Sequence, residues 1–448
     1  MMAQNADQLP MDYASLVRSR KPSGAGREFP AWLESRRQNA RERLQTVGFP
    51  TRADESWKFS KVEPVLAQLF SPADSESMAL PDMREASLLA SEESVRGFFC
   101  GDRFAGADRP AAHLADRNEI MPLSEAILKK PGLLEKYLLS KAGVEDNGLS
   151  CANDFLFRDG ILIHVGKGMK AALPLYTMLA GGGYGQERPA YHPRVLVVLE
   201  EGAEATWVLD QRSADDKAYF SNSAVEIFLE PSAHLDWIQI RRENAQAFNL
   251  TEIRSCMGAG SRLTLTDYVR GGAWSHLRFN GVLSGDTAAC ELRHLSILDG
   301  DTVATKYIFM EHAASHCLSR QLDKNILSGR SISEFNSIVH VAKQTAGSDS
   351  GQSNRNLLLS PEARAWSRPQ LKIEADDVKA THGSATGPLT DTELFYLQSR
   401  GLDRSVARSL LTFGFAEEVL EKVSVDKIHQ NLTQDAQSQL DKMLRMLV

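Results

Sequence analysis

No stretch of the sequence approaches the roughly 18–20 consecutive apolar residues that a membrane-crossing helix requires. The opening MMAQNADQLPMDYASLVRSRK has no apolar core that a signal peptidase would read, and Asp7 and Asp12 break the acid-poor pattern of a transit peptide in the basic stretch SLVRSRKPSGAGR. A cytoplasmic protein is the expectation. The five cysteines, Cys100, Cys151, Cys256, Cys290 and Cys317, are scattered and include no Cys-x-x-Cys pair, so neither a disulfide framework nor a self-contained zinc or iron–sulfur cage is expected. Positive charge is in deficit: 51 Lys and Arg against 58 Asp and Glu leave a net charge of -7, with no general field to draw nucleic acid or an anionic membrane. The glycine-rich LAGGGYGQERP and HVGKGMK contain no G-x-x-x-x-G-K-[ST], so this chain is expected to bind no nucleotide, and LSGRS at 327–331 is too short to say otherwise. A G-x-S-x-G elbow is also missing, which leaves hydrolase chemistry without a nucleophile.

What the sequence does have is core-forming material, with 42% hydrophobic and 24% charged residues, on a scale that suits two to three domains or one elongated domain with appendages. Residues 29–70 read as helical: Trp32, Leu33, Arg36, Ala40 and Leu44 form a stripe that ends before Gly48. SPADSESMALPD reads as a linker, and GLLEKYLLSKAG carries a further helix before residue 150.

From Phe155 the period changes to two. Runs such as RVLVVLE, AVEIFLE, HLDWIQIR and CELRHLSIL alternate between turn-forming clusters for more than 200 residues. A turn with a small residue followed by a strand recurs at Ala203, Ala233, Ser261 and Thr287, spaced by 30, 28 and 26 residues. Each such unit needs the next one stacked on it to bury its apolar face, which predicts a β-solenoid, with a β-sandwich as the alternative. After Pro388 the helical period returns: Thr390 and Glu393 form a capping-box pair, Gly401 marks a helix stop, and RSVARSLLTF, AEEVLEKV and DAQSQLDKMLRMLV follow. The expected division is an α-rich N-terminal region over 1–150, a β core over 151–387 and a helical C-terminal domain over 388–448.

Few side chains carry chemistry. Asp376 and Asp377 are adjacent, so in a strand they face opposite ways, and solvation or a turn hydrogen bond accounts for them better than acid/base work. Cys290 and His294 alternate with Leu292 on what reads as an interior face, where a hydrogen-bonded core histidine is favoured over a metal ligand. His312 and His316, four apart, are open to a structural or a site role. His382, in ADDVKATHGSATG, stands where a charged strand meets the helical tail; its imidazole could bind iron or zinc, but one ligand does not make a site. Phe395, Tyr396, Phe413 and Phe415, with Arg400, give the C-terminal helices aromatic area that suits either a docking surface or their own core.

NRNLLLSPEARAWSRPQLKIEADDVKATHGSATGPLTDTELFYLQSRGL, residues 354–402, closely resembles the C-terminal signature of the SufB/SufD family, nearer its SufD branch. HCLSRQLDKNILSG, ARSLLTFGFAEEVL and DESWKF at 54–59 resemble it as well. The resemblance implies a mainly β fold, with a right-handed parallel β-helix (β-solenoid) core flanked by N-terminal and C-terminal helical domains. It further implies a non-catalytic scaffold subunit for iron–sulfur cluster assembly. Such a chain would pair with a SufB-like subunit through the β-helix, or with itself when alone. Its C-terminal helices would hold a SufC-like ABC ATPase, and a cysteine desulfurase system would act indirectly. His382 corresponds to the family's functional histidine at the SufB–SufD interface, a candidate ligand for iron or a transient iron–sulfur cluster. Where the family reads DDVKCSHG, this chain has Ala380 and Thr381, so sulfur ligands would come from the partner. Ser337 stands where the family tends to have Gly. The rival readings are a carbohydrate-active solenoid with paired carboxylates and a pure interaction solenoid without metal.

Overall fold

The computed structural model describes residues 11–19, 29–73, 83–110, 119–140, 147–184 and 186–446. The linker SPADSESMALPD falls mostly outside these described residues.

A left-handed backbone followed by a small buried residue turns the chain through each corner of one edge. The left-handed positions are Gly202, Ser232, Gly260, Thr287, His316 and Gly347. Each precedes a buried small residue: Ala203, Ala233, Ser261, Ala288, Cys317 and Ser348. A left-handed residue reverses the chain tightly, and only a small side chain fits where the two sheets converge. At Gly347 (φ +64°) a Cβ would sit 2.2 Å from His316 Nδ1, so this corner also needs the missing side chain.

Between corners the strands alternate between two sheets. Glu204–Ser213 pairs with His234–Glu243, which pairs with Arg262–Gly271, and the series continues through Ala289–Leu298, Leu318–Leu327 and Ser348–Leu358 to Val378–Gly387. The second sheet runs from Phe220–Leu229 through Phe248–Met257, Trp274–Leu283, Val303–His312 and Ile332–Val341 to Arg364–Ile373. Every one of these pairings is parallel, which identifies a β-solenoid and excludes the antiparallel sandwich. The register pairs Arg262 with Ala289. Ser261 therefore aligns with Ala288, one residue beyond the expected Thr287.

The interior between the sheets is an apolar column at the N-terminal end, where Trp207 and Trp237 stack with ring centroids 4.6 Å apart. Leu265, Leu292, Phe279, Ile308 and Phe335 extend it. On the outer face of the first sheet, Val208, Ile238, Ile240 and Leu295 pack against Ala416, Val419, Ile428, Leu432 and Leu440 of the C-terminal helices. Each buried Leu, Ile or Val contributes about 1.5–3 kcal/mol. The outer face of the second sheet is covered by the N-terminal region through Tyr13, Trp57, Phe70, Leu250 and Trp274.

The N-terminal helix Ala31–Val47 stops at Gly48 as expected and buries Leu33, Ala40 and Leu44 of the expected stripe, but it buries Arg37 in place of Arg36 and leaves Trp32 half-buried. This region also contributes strands, including the antiparallel pair Val95–Cys100 and Arg103–Asp108 that caps one end of the first sheet. At the C-terminus, Thr390 and Glu393 close the expected capping box on Asp391–Ser399, and Gly401 (φ +89°) follows it. RSVARSLLTF and the first part of AEEVLEKV join in one helix, Arg404–Leu420, which runs through Gly414. Asp426–Arg445 forms the last helix. No described helix is long and apolar enough to cross a membrane.

Candidate functional site

The two ends of the solenoid differ. The first is closed by antiparallel strands, whereas the other finishes on Arg364–Ile373 and Val378–Gly387, neither of which has a buried residue. Both are last in their sheets. Pro369 lies in the middle of Arg364–Ile373 and removes a backbone donor there, a common protection of an exposed edge. Val378–Gly387 has no proline, spans ten residues and offers an unprotected edge among the described residues.

His382 is exposed at the centre of this strand. Val378 packs against the interior cluster and Thr386 Oγ1 accepts a hydrogen bond from Asn356 Nδ2 at 2.9 Å. Alternation therefore puts Ala380, His382 and Ser384 on the same inward face, open because no further turn covers them. His382 pairs in register with Gln352, and Gln352 with Gln321.

Toward this end the interior becomes polar. Lys306 Nζ lies 2.8 Å from Asp323 Oδ1, with both side chains fully enclosed, and also donates to Ser296 and Asn325. Deeper inside, Arg241 forms a fork with Asp267, which His294 also meets at 3.1 Å. Burial works to raise the Asp267 carboxyl, yet Arg241 and His294 outweigh it and hold it below the ordinary range. His294 is thus the hydrogen-bonded core histidine expected beside Cys290, whose thiol is pushed up by burial.

His312 and His316 are not brought together. His312 ends its strand in the interior, hydrogen-bonded to Ser319 Oγ at 2.8 Å and pushed down to about 4, chiefly by burial. His316 occupies an exposed left-handed corner. Asp376 and Asp377 lie in a bend, where Asp377 accepts from the Gly347 N–H through its carbonyl and its carboxylate. LSGRS is a corner with Gly329 left-handed and Arg330 forking onto Asp301. No group of three or more metal-binding side chains occurs among the described residues.

A second exposed surface lies on the C-terminal helices. Phe395 and Tyr396 are 71% and 58% exposed, Val406 and Leu410 are exposed nearby in sequence, and the Arg400 guanidinium lies 5.5 Å from the Tyr396 ring centroid. Phe413 and Phe415 are half-buried against the C-terminal core, and Lys324 covers Phe415 at 4.3 Å. The five residues therefore divide between surface and core.

Residues 183–415, more than half of the chain, match the SUF system FeS cluster assembly, SufBD core domain, and residues 11–176 match the SufBD protein N-terminal region. The chain belongs to the SufBD family. It is 28% identical over 409 residues to the iron–sulfur cluster assembly protein SufD of Escherichia coli (strain K12), covering 90% of this chain and 93% of that protein. An iron–sulfur cluster assembly SufBD family protein of Synechocystis sp. (strain ATCC 27184 / PCC 6803 / Kazusa) is 26% identical, covering 90% of each chain. The chloroplastic protein ABCI7 of Arabidopsis thaliana is 26% identical over 87% of this chain and 82% of its own length. Membership of the SufBD family assigns the chain to SUF-system iron–sulfur cluster assembly.

No motif marks the interior hydrogen-bonding residues around Gln352. Their signal was present: carrying the repeat onward from Leu292 aligns Gln321, Gln352 and His382 at one position.

Proposed function

We propose that this SufBD family chain is a non-catalytic, SufD-like scaffold subunit of a cytoplasmic assembly. Its open solenoid end pairs with a SufB-like subunit, and its C-terminal helices hold a SufC-like ABC ATPase. The observation that carries the pairing is the unprotected edge of Val378–Gly387, with His382 at its centre. A ten-residue edge without proline is a template for strand addition, and backbone hydrogen bonds from a second solenoid would satisfy it. The imidazole would then lie at the seam, where a nitrogen lone pair can take iron or the nascent cluster, which is cargo here. Ala380 offers no donor, so the partner supplies the sulfur ligands.

Phe395, Tyr396 and Arg400 supply the exposed anchors for the ATPase. Docking would bias the C-terminal helices between two arrangements, and a shift at the seam would follow ATP binding by the partner. The carbohydrate-enzyme reading has little support: the interior carboxylates Asp267 and Asp323 are fully enclosed and paired with Arg241 and Lys306. The test is co-expression with a SufB-like solenoid and a SufC-like ATPase, followed by size-exclusion chromatography and iron and sulfide analysis. A complex that holds iron and sulfide is expected. Elution of this chain apart from both proteins would refute the assignment.

A further inference from the structure

His382 binds a metal through a ring nitrogen lone pair, and an acceptor beneath the ring that holds the other nitrogen's N–H would favour the tautomer and orientation that turn this lone pair outward. On the turn below, Gln352 shares its register position and is 3% exposed. Its Nε2 donates to Ser337 Oγ at 2.7 Å and to the Ser337 backbone carbonyl at 3.3 Å. The carbonyl can only accept, so it fixes which end of the amide faces Ser337. Ser337 Oγ in turn donates to Gln321 Oε1 at 2.6 Å. This directional chain leaves Gln352 Oε1 as its outer terminus, buried and without a hydrogen-bond partner among the described residues. Gln321 Nε2, at the same register position one turn earlier, is also without a partner among the described residues. The two amides therefore do not pair with each other, and the remaining neighbour along the register is His382.

We propose that Gln352, held by Ser337, is a positioning residue for His382. Its amide oxygen accepts the N–H of one ring nitrogen, selects that tautomer and turns the other nitrogen's lone pair out of the open end. An unmade bond to a buried carbonyl oxygen carries a desolvation cost, which gives the ring a reason to adopt this orientation. Ser337, the position that differs from the family's usual glycine, thereby gains a role: without its hydroxyl the amide has lost one anchor. The proposal rests on the reading of His382 as the seam ligand, but its test does not.

The test uses the full-length chain with ¹⁵N-labelled histidine at a pH where imidazole is neutral. The His382 signal is assigned by comparison with His382→Gln, and its tautomer ratio is read from the two ring ¹⁵N shifts. In Gln352→Met, which keeps the volume and removes the acceptor, the ratio is expected to change about fivefold, the factor that one net hydrogen bond supplies. A smaller change in the same direction is expected for Ser337→Ala, which also decides the matter if Gln352→Met does not fold. Identical ratios in the native chain and a folded variant would overturn the proposal. A changed ratio with unaltered cluster assembly by His382→Gln would leave the Gln352 assignment standing and remove the role proposed for His382.

Discussion

Lys306 and Asp323 meet at 2.8 Å inside the solenoid, with neither side chain exposed to solvent. Removing one partner leaves the other charge buried and unpaired. Lys306→Met should therefore cost about 3–5 kcal/mol, whereas Lys306→Met combined with Asp323→Leu should recover most of the loss. Denaturant unfolding of the two variants checks this, and equal losses in the single and double variants would contradict it.

Glu334 supplies a pH prediction. It is 2% exposed, and burial raises its carboxyl to about 7, with Arg368 acting in the opposite direction. The folded state therefore keeps a proton that the unfolded chain loses near its ordinary value of 4.5. Stability contributed by this group is present below about 4.5 and declines as pH rises toward about 7. At about 1.4 kcal/mol per unit, the total is about 3 kcal/mol. Glu334→Gln should remove the decline, so the difference in stability between variant and native chain should grow from pH 5 to pH 8. A constant difference across that range would contradict the raised value.

On the C-terminal helices, Phe395→Ala and Tyr396→Ala should leave thermal unfolding within about 0.5 kcal/mol of native, because both rings are exposed. If the rings are docking anchors, each should weaken binding of the ATPase by about tenfold or more, the loss of roughly 1.4 kcal/mol or more that marks an interface anchor. Phe415→Ala should do the reverse in part, lowering stability by removing packing against the core and the contact with Lys324. Surface plasmon resonance and calorimetry separate the two effects.

The repeat was readable because its physical cause is local. Each corner needs a left-handed residue and then a small one, and Ser232–Ala233 and Gly260–Ser261 display this pair directly. Thr287 shifts the sequence repeat by one residue, because it holds the left-handed position that at Gly202, Ser232, Gly260 and Gly347 belongs to Gly or Ser. His316 takes the same left-handed position, which its side chain does not advertise as a corner. The helix ends at Gly48 and Gly401 were equally visible, while the strands within the N-terminal region are short and depend on pairing with distant segments, such as Ser71 with Pro189. At the site, the sequence placed His382 where the β region meets the helical tail, but its inward face follows only from the contacts of Val378 and Thr386 on the same strand. The Gln352–Ser337 contact joins opposite sheets, and no local period reveals it.

Ala380 offers the most direct test of the seam. It lies two residues before His382 on the same inward face of the edge strand, so a thiolate placed there would share the opening with the imidazole. Cysteine is a soft ligand suited to iron–sulfur clusters, and Ala380 lies on an edge strand that has no buried residue. In the complex with a SufB-like subunit, Ala380→Cys should raise the iron and sulfide retained per chain. His382→Ala should lower it without changing the stability of the subunit. The double variant should fall between the two if the ligands act at one opening. Iron and sulfide analysis with visible absorbance reads all three, and retention indifferent to both positions would place the cluster elsewhere on the assembly.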